Sequence, residues 1–209
     1  SGAVYRIEDS AGGTSEHDKS IGSTDSQVTG DLGGYGIAME DDLVAVADID
    51  RMYYYSITSA NEFQPLSIAS HSATRFFSRP DIKNRVITAG APLDIPPNIR
   101  VLNVSPAGTV SEQTFGLPTE IGPDDGYGLN VFTNGFFIGS GVAGLDLTGE
   151  NSGGVWTQSL NGANYPNGLI LEGMGTPSGH FGDSIATSDE WAAIGAPNSI
   201  NECNPDAQG

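Results

Sequence analysis

One stretch near the C-terminal end carries the pattern that decides the fold: Phe181-Gly182-Asp183-Ser184-Ile185-Ala186, followed by Ile194-Gly195-Ala196-Pro197. An aromatic-glycine pair opens it, and small and apolar residues follow. After a polar turn, an apolar run ends in glycine, alanine and proline. Glycine permits close backbone approach or a positive φ, and proline ends a strand because it cannot donate to a ladder. The stretch therefore predicts two short strands joined by a turn.

The same pattern recurs along the chain. Repeat units start near residues 35, 76, 127 and 181, at Tyr35-Gly36, at the worn copy Arg75-Phe76-Phe77-Ser78, at Tyr127-Gly128 and at Phe181-Gly182. A period of roughly 40–50 residues is typical of a β-propeller, whereas helical solenoids of that period need amphipathic 3.6-residue patterns, which we do not find. The repeat predicts an all-β chain built of about four blades.

Each unit also predicts outer strands. The second strands include Leu43–Ala47, which reads as a strand buried on both faces because its apolar run is continuous. Third strands are predicted from β-branched and aromatic content at 52–57, 99–104 and 154–157. Fourth strands are predicted at 63–68, 110–115 and 169–171.

The two ends of the chain hold complementary halves of a unit. Gly2-Ala3-Val4-Tyr5-Arg6-Ile7 matches a third strand, and the C-terminal unit stops after its second strand at Pro197. We therefore expect residues 1–209 to form a single propeller domain in which residues 1–30, with a weak strand near 19–23, complete the last blade. Joining the ends in one sheet would close a ring and remove open edges. The alternative is that the chain is a slice of a larger propeller.

These motifs resemble the FG-GAP repeat of integrin-α-type β-propellers. Phe181-Gly182-Asp183-Ser184-Ile185-Ala186 with Gly195-Ala196-Pro197 is a close match, and Gly2-Ala3-Val4-Tyr5 matches the closing strand. Gly90-Ala91-Pro92 is a partial match, and Gly139-Ser140-Gly141 departs from the pattern. The resemblance implies a non-enzymatic adhesion or interaction module, extracellular, cell-surface or in an organelle lumen, and sometimes a subunit of a larger assembly.

Charge excludes some classes of partner. The chain has 26 acidic and 8 basic residues and a net charge of −18, so it repels phosphate, and nucleic acid is not an expected partner. No run of about 18 apolar residues occurs, so no transmembrane segment is predicted. The partners that we expect are proteins or glycans, bound at loops near 48–51, 93–98, 144–153 and 198–208.

Calcium is the cofactor that the resemblance implies, because FG-GAP units often carry an Asp-rich loop before the aromatic-glycine start. Carboxylates around a glycine turn can wrap a hard cation. None of the corresponding stretches has the full alternation of that loop, and each also reads as a solvated acidic turn. The candidate ligands are Asp25, Asp31, Asp124, Asp125, Asp146, Thr148 and Glu150.

Catalytic interpretations have less support. Gly182-Asp183-Ser184 looks like the nucleophile motif of GDSL-type hydrolases, but that family places its base in a later histidine and none follows Ser184. A triad from His17, His71 or His180 would have to assemble in space. We therefore expect no enzymatic activity.

Aromatic side chains could stack on sugars, as in propeller lectins. Trp156, Trp191 and Tyr53-Tyr54-Tyr55 are the candidates. All of them fall in predicted strands, so packing in the core or between blades is the expected role.

Overall fold

The computed structural model describes residues 3–8, 16–22, 36–48, 51–59, 63–70, 78–161, 168–173 and 177–199. These ranges contain sixteen strands and no helix. The chain is therefore all-β over its described part, as the repeat predicts. No helix capable of crossing a membrane occurs in these ranges.

Three sheets have four strands each, and in all of them strands that follow one another in the chain pair antiparallel. Sheet I contains β3 Gly36–Glu40, β4 Leu43–Ala47, β5 Arg51–Ile57 and β6 Phe63–Ser70. Sheet II contains β7 Asp81–Lys83, β8 Val86–Ala91, β9 Asn98–Val104 and β10 Val110–Gly116. Sheet III contains β11 Asn130–Thr133, β12 Phe137–Val142, β13 Gly154–Ser159 and β14 Leu169–Glu172.

Two further sheets have two strands each. β1 Ala3–Glu8 pairs with β2 Glu16–Gly22, and β15 Ser184–Thr187 pairs with β16 Ala192–Gly195. The sequence predicts that these pairs share one blade, but the structure has them as two separate sheets. Because β2 contacts β6 of sheet I and β15 contacts β11 of sheet III, each pair lies beside a different full sheet.

Consecutive sheets pack face to face around their first strands. β3 contacts β7, β7 contacts β11, and β11 contacts β15. Sheet II lies between two cores: Ile87 and Leu102 pack towards Tyr54 of sheet I, while Ile99 and Val101 pack towards sheet III. Burial of both faces explains why β4 and β8 read as continuous apolar runs rather than as alternating ones.

The glycines of the repeat lie where consecutive sheets touch. A side chain on Gly90 of β8 would overlap the carbonyl oxygen of Gly128, and one on Gly141 of β12 would overlap that of Gly182. Gly128 and Gly182 have positive φ values of 81° and 94°, so each aromatic-glycine pair forms a turn before its strand. β11 and β15 accordingly begin three residues after the repeat starts at 127 and 181.

The predicted second, third and fourth strands are confirmed in sheets I to III, and the weak strand near 19–23 is confirmed as part of β2. In the second, degenerate copy of the repeat, residues 75–77 lie outside the described ranges. The first strand of sheet II, β7, begins only at Asp81. Two of the inner hairpins turn at Asp41 (φ 50°) and at Asn84 and Arg85 (φ 50° and 63°). Two consecutive residues with positive φ suit the right-handed twist of a tight hairpin.

Candidate functional site

Four loop segments form one continuous surface, which we call the loop face: residues 92–97, 117–129, 143–153 and 177–183. The Gly144 amide donates to the Asp125 carbonyl over 3.1 Å, which joins the second and third segments. The Ser178 and His180 amides donate to the carbonyls of Glu150 and Asn151 over 2.7 and 3.1 Å, which joins the third and fourth. The first segment ends beside Gly128 of the second segment. A Cβ atom added to Gly128 would lie only 3.0 Å from the carbonyl oxygen of Asn98, which follows the first segment.

Large apolar side chains project from the tips of the loop face. Ile95 is 86% exposed, and Leu93, Leu129 and Leu147 are exposed as well. Pro92, Pro96 and Pro97 flank Ile95 in a six-residue loop, and their fixed φ angles reduce the conformational entropy that this loop can lose on binding. Exposed apolar residues that share one surface are typical of an interaction site.

Carboxylates surround these apolar tips, and they include the predicted calcium ligands of this region. The Asp125 Oδ2 accepts from the Gly122 amide over 2.7 Å, and the Asp146 Oδ1 accepts from the Asn151 amide over 2.6 Å. The Thr148 amide donates to the Ser152 hydroxyl over 3.2 Å, while Asp124 and Glu150 are exposed. Asp125 and Asp146 thus each cap a turn with one carboxylate oxygen.

Two of the loops that carry predicted calcium ligands lie against each other. The structure brings the Asp125 loop against the Gly144 loop, a proximity that the sequence does not reveal. Even so, no group of three or more Asp, Glu, His or Cys side chains able to hold a metal occurs among the described residues. Asp25 and Asp31 lie outside those ranges, and calcium binding stays a prediction for all seven candidate ligands.

The aromatic candidates divide into buried and exposed ones. Tyr53, Tyr54, Tyr55 and Trp156 are buried, as predicted, and Trp156 is 2% exposed. For Trp191 the prediction is wrong, because this side chain lies in the turn before β16 and is 78% exposed. Among the described residues, no strand other than β15 pairs with β16.

Trp191 borders a cleft of about 190 Å³ between sheet III and the β15–β16 pair. Phe137 and Leu171 of sheet III, both partly exposed, line the facing wall. Asn134, Ser188 and Glu190 supply polar groups at the same cleft. We call this site the Trp191 cleft. It combines an aromatic platform with hydrogen-bonding side chains.

The first strands form a second, more polar region, where charged side chains join the hairpins. The Lys83 ammonium lies 3.2 Å from an Asp189 carboxylate oxygen and 3.5 Å from one of Glu40. The hydrogen bond to Asp189 is the main reason that the pKa of Lys83 is raised. The Arg85 guanidinium lies 2.6 Å from an Asp42 oxygen. These contacts connect turns of sheets I and II with the β15–β16 turn.

The Asp81 carboxylate ties sheet II to sheet III. Its Oδ2 accepts from the Thr133 amide over 2.8 Å, and its Oδ1 accepts from the Ile82 amide over 3.0 Å. Burial raises the pKa of Asp81 despite these two hydrogen bonds, which act in the opposite direction. The Thr187 hydroxyl then donates to the Thr133 carbonyl over 3.0 Å, so one residue of β11 links strands on both of its sides.

The residues of the hydrolase hypothesis do not meet in the described part of the chain. Ser184 lies exposed on β15, and His180 lies in the preceding loop with φ 52°. No hydrogen bond joins Ser184 to His180 among the described residues. His71 and the side chain of His17 fall outside what the structure describes.

No protein-family model matches this chain, and no curated protein is similar to it. One similar solved structure is the crystal structure of the computationally designed Ika8 protein, with 13% sequence identity and a TM-score of 0.48. The match covers 79% of this chain and 43% of that one, so the chain spans less than half the length of the designed protein.

Proposed function

We propose that this protein is a non-enzymatic binding module that docks a protein partner on its loop face, and that its sheets are blades of an FG-GAP-like propeller. The face-to-face packing of consecutive sheets around their first strands supports the propeller arrangement. The contacts Gly90–Gly128 and Gly141–Gly182 support it further, because in both the glycine that ends one unit's second strand meets the glycine that opens the next unit. An extracellular or lumenal location is part of the proposal.

The observation that carries the proposed function is the exposure of Ile95 and its apolar neighbours among carboxylates. Burying the aliphatic side chains of Leu93, Ile95, Leu129 and Leu147 releases roughly 25 cal/mol per Å² of apolar surface. Exposed Asp124, Asp146 and Glu150 would lie near the same contact. The partner surface that fits is therefore apolar at its centre and rich in Lys and Arg at its rim.

The test is selection of peptides from a random displayed library by the immobilised 209-residue chain. Enriched peptides should combine large apolar residues with Lys or Arg. Their affinity should fall as salt rises towards physiological ionic strength, because salt screens attraction between exposed charges. The variant Ile95→Ser/Leu129→Ser should lose at least about tenfold in affinity, as expected when central apolar anchors are removed.

Trp191→Ser is the matched control, since it removes an exposed apolar side chain away from the loop face. It should leave peptide affinity unchanged. Selection of peptides without basic residues, or equal binding by the loop-face double variant, would contradict the proposal.

A second candidate function, glycan binding, is favoured by the Trp191 cleft. An exposed indole beside Asn134, Ser188 and Glu190 offers stacking together with hydrogen bonds. On a glycan array, Trp191→Ala should abolish any signal that the Ile95→Ser variant retains. A glycan signal that survives Trp191→Ala would assign the sugar to another surface.

A further inference from the structure

A pocket of about 390 Å³ opens between β7, β11 and β15. Arg79, Asp81, Asn130, Ser184 and Thr187 are among the residues that line it, so three consecutive sheets contribute to its wall. We call it the inner-strand pocket. It is distinct from the loop face and from the Trp191 cleft, although Thr187 touches both the pocket and the cleft.

Arg79 is unusual among the basic residues near this pocket. Lys83, Arg85 and Arg100 each have a carboxylate oxygen within 4.0 Å. Within the ranges that the structure describes, Arg79 has neither an ion pair nor a side-chain hydrogen bond, although the chain carries 26 acidic residues. Among the described residues, no side chain or carbonyl therefore engages the hydrogen-bond donors of its guanidinium.

The base of the Arg79 side chain is held in place. Residues 79 and 130 form a parallel bridge between sheets II and III. Gly36 lies against the arginine, because an added Cβ at Gly36 would come within 2.9 Å of both the Cα and the Cγ of Arg79. A fixed stem limits the side-chain entropy that the arginine loses when it binds a ligand.

Several of the other polar groups that line the pocket already make hydrogen bonds. The Asn130 side-chain amide Nδ2 donates to the Asp183 carbonyl over 2.6 Å, and the Thr187 hydroxyl donates to the Thr133 carbonyl. Both Asp81 oxygens accept backbone amides, and no ion pair joins Asp81 to Arg79. Ser184 is exposed on β15, and its hydroxyl makes no hydrogen bond within the described residues.

We propose that the inner-strand pocket binds a single carboxylate group, with the Arg79 guanidinium as the charged donor and the Ser184 hydroxyl as a second donor. The planar guanidinium fork matches a carboxylate in bidentate geometry. A monoanion fits better than a phosphate dianion, because Asp81 in the same pocket and a net charge of −18 repel each added negative charge. The carboxylate could belong to a small organic acid or to an acidic side chain of another protein.

The experiment follows the arginine Nε–Hε signals of the full chain by NMR, with sodium acetate as the probe and ionic strength held constant with chloride. The Arg79 signal, identified by its loss in Arg79→Lys, should shift saturably with acetate. Equal concentrations of acetamide, which has the same shape but no charge, should leave it in place. Ser184→Ala should weaken acetate binding about fivefold, as expected for one lost hydrogen bond.

Arg79→Lys should weaken binding about tenfold, measured on backbone amide signals at the pocket, because lysine cannot form the bidentate pair. Arg85 and Arg100 are internal controls, since both already have carboxylate partners. A second arm replaces acetate by acetyl-Gly-Asp-Gly-amide. Binding at least as tight as acetate assigns the carboxylate to a protein segment, and binding of acetate alone assigns it to a small free acid.

Three results would overturn the proposal: a non-saturable response, an equal response to acetamide, or shifts at Arg85 and Arg100 as large as the shift at Arg79. Because Ser184 is exposed, the Ser184→Ala variant keeps the test decisive if Arg79→Lys fails to fold. The results of this experiment do not bear on peptide binding by the loop face, because that surface contains neither Arg79 nor Ser184.

Discussion

Two interfaces between consecutive sheets are built from equivalent strands, but side chains fill one of them and leave the other open. Between sheets II and III, Trp156 fills the space: its ring centroid lies 6.1 Å from that of Phe115 and 5.3 Å from that of Tyr127. Between sheet III and the β15–β16 pair, the corresponding space is the Trp191 cleft. One interface is a core and the other is an open site.

The strand register shows which residues correspond. In sheet II, Ile99 pairs with Gly90 on one side and with Phe115 on the other. In sheet III, Val155 pairs with Gly141 and with Leu171. Phe115 is thus equivalent to Leu171, but Phe115 packs near the buried Trp156 of the next sheet, whereas Leu171 is exposed at the Trp191 cleft.

The difference comes from the outer strands. Trp156 belongs to the third strand of sheet III, whereas the described part of the β15–β16 sheet contains no third strand that could supply its equivalent. The face of sheet III that would be buried therefore stays partly exposed at Leu171. An identical repeat can provide a core or a binding surface, depending on how many of its strands are present.

The largest expected effect tests this contrast between the two tryptophans. Trp156→Ala should lower the free energy of unfolding by about 3–5 kcal/mol, because it leaves a cavity in a filled interface. Trp191→Ala should change it by less than about 0.5 kcal/mol, as for an exposed site. Urea unfolding followed by circular dichroism measures both. Equal losses would show that Trp191 is buried in solution.

A smaller effect concerns the tyrosine of the filled interface. Tyr127 is fully buried, burial raises its pKa, and its hydroxyl has no hydrogen-bond partner in the described part of the chain. Phe181 takes the equivalent place in the next unit. Tyr127→Phe should therefore raise the free energy of unfolding by about 1 kcal/mol, since a buried unpaired hydroxyl is removed.

A loss of stability in Tyr127→Phe would reveal a partner for that hydroxyl. Phe181→Tyr is the matched reverse change. It should be nearly neutral, because Phe181 is only partly buried.

The smallest effect is a pH dependence at Asp81, which joins the two sheets of the filled interface. Its pKa is raised in the folded protein by burial, so folding favours the protonated form. That contribution is fully present below the ordinary pKa of 3.8 and is lost as pH rises through the raised folded value. The free energy of unfolding of the wild type, relative to Asp81→Asn, should fall as pH rises across this window. A difference that grows with pH would mean that the pKa is lowered instead.

Much of the fold could be predicted from the sequence because the repeat fixes local structure. Continuous apolar runs such as Leu43–Ala47 are readily predicted as strands. Gly90 and Gly141, near the ends of the second strands of sheets II and III, make equivalent contacts at two successive unit boundaries. Trp191 could not be placed, because its local pattern matches a strand while its exposure depends on how neighbouring sheets pack around it.

The candidate site was less predictable, since it depends on contacts between distant segments. The pairing of the Asp125 and Gly144 loops follows from how sheets II and III stack, and no spacing rule encodes it. Arg79 likewise belongs to no sequence motif that would mark it as a binding residue. The signal that could have identified it is the rarity of basic residues in so acidic a chain, combined with its place just before a first strand.

The most direct test of the central claim, that consecutive units pack glycine against glycine, compares Gly141→Ala with Gly195→Ala in the 209-residue chain. The two glycines hold equivalent positions and neither has a positive φ. An added Cβ at Gly141 would strike the Gly182 backbone, whereas at Gly195 its close contact is the movable Ser184 hydroxyl of its own hairpin. In urea unfolding, Gly141→Ala should lose about 3 kcal/mol, near the upper end for overpacking, and Gly195→Ala should lose less than about 1 kcal/mol. Equal losses, or a negligible loss for Gly141→Ala, would contradict the account.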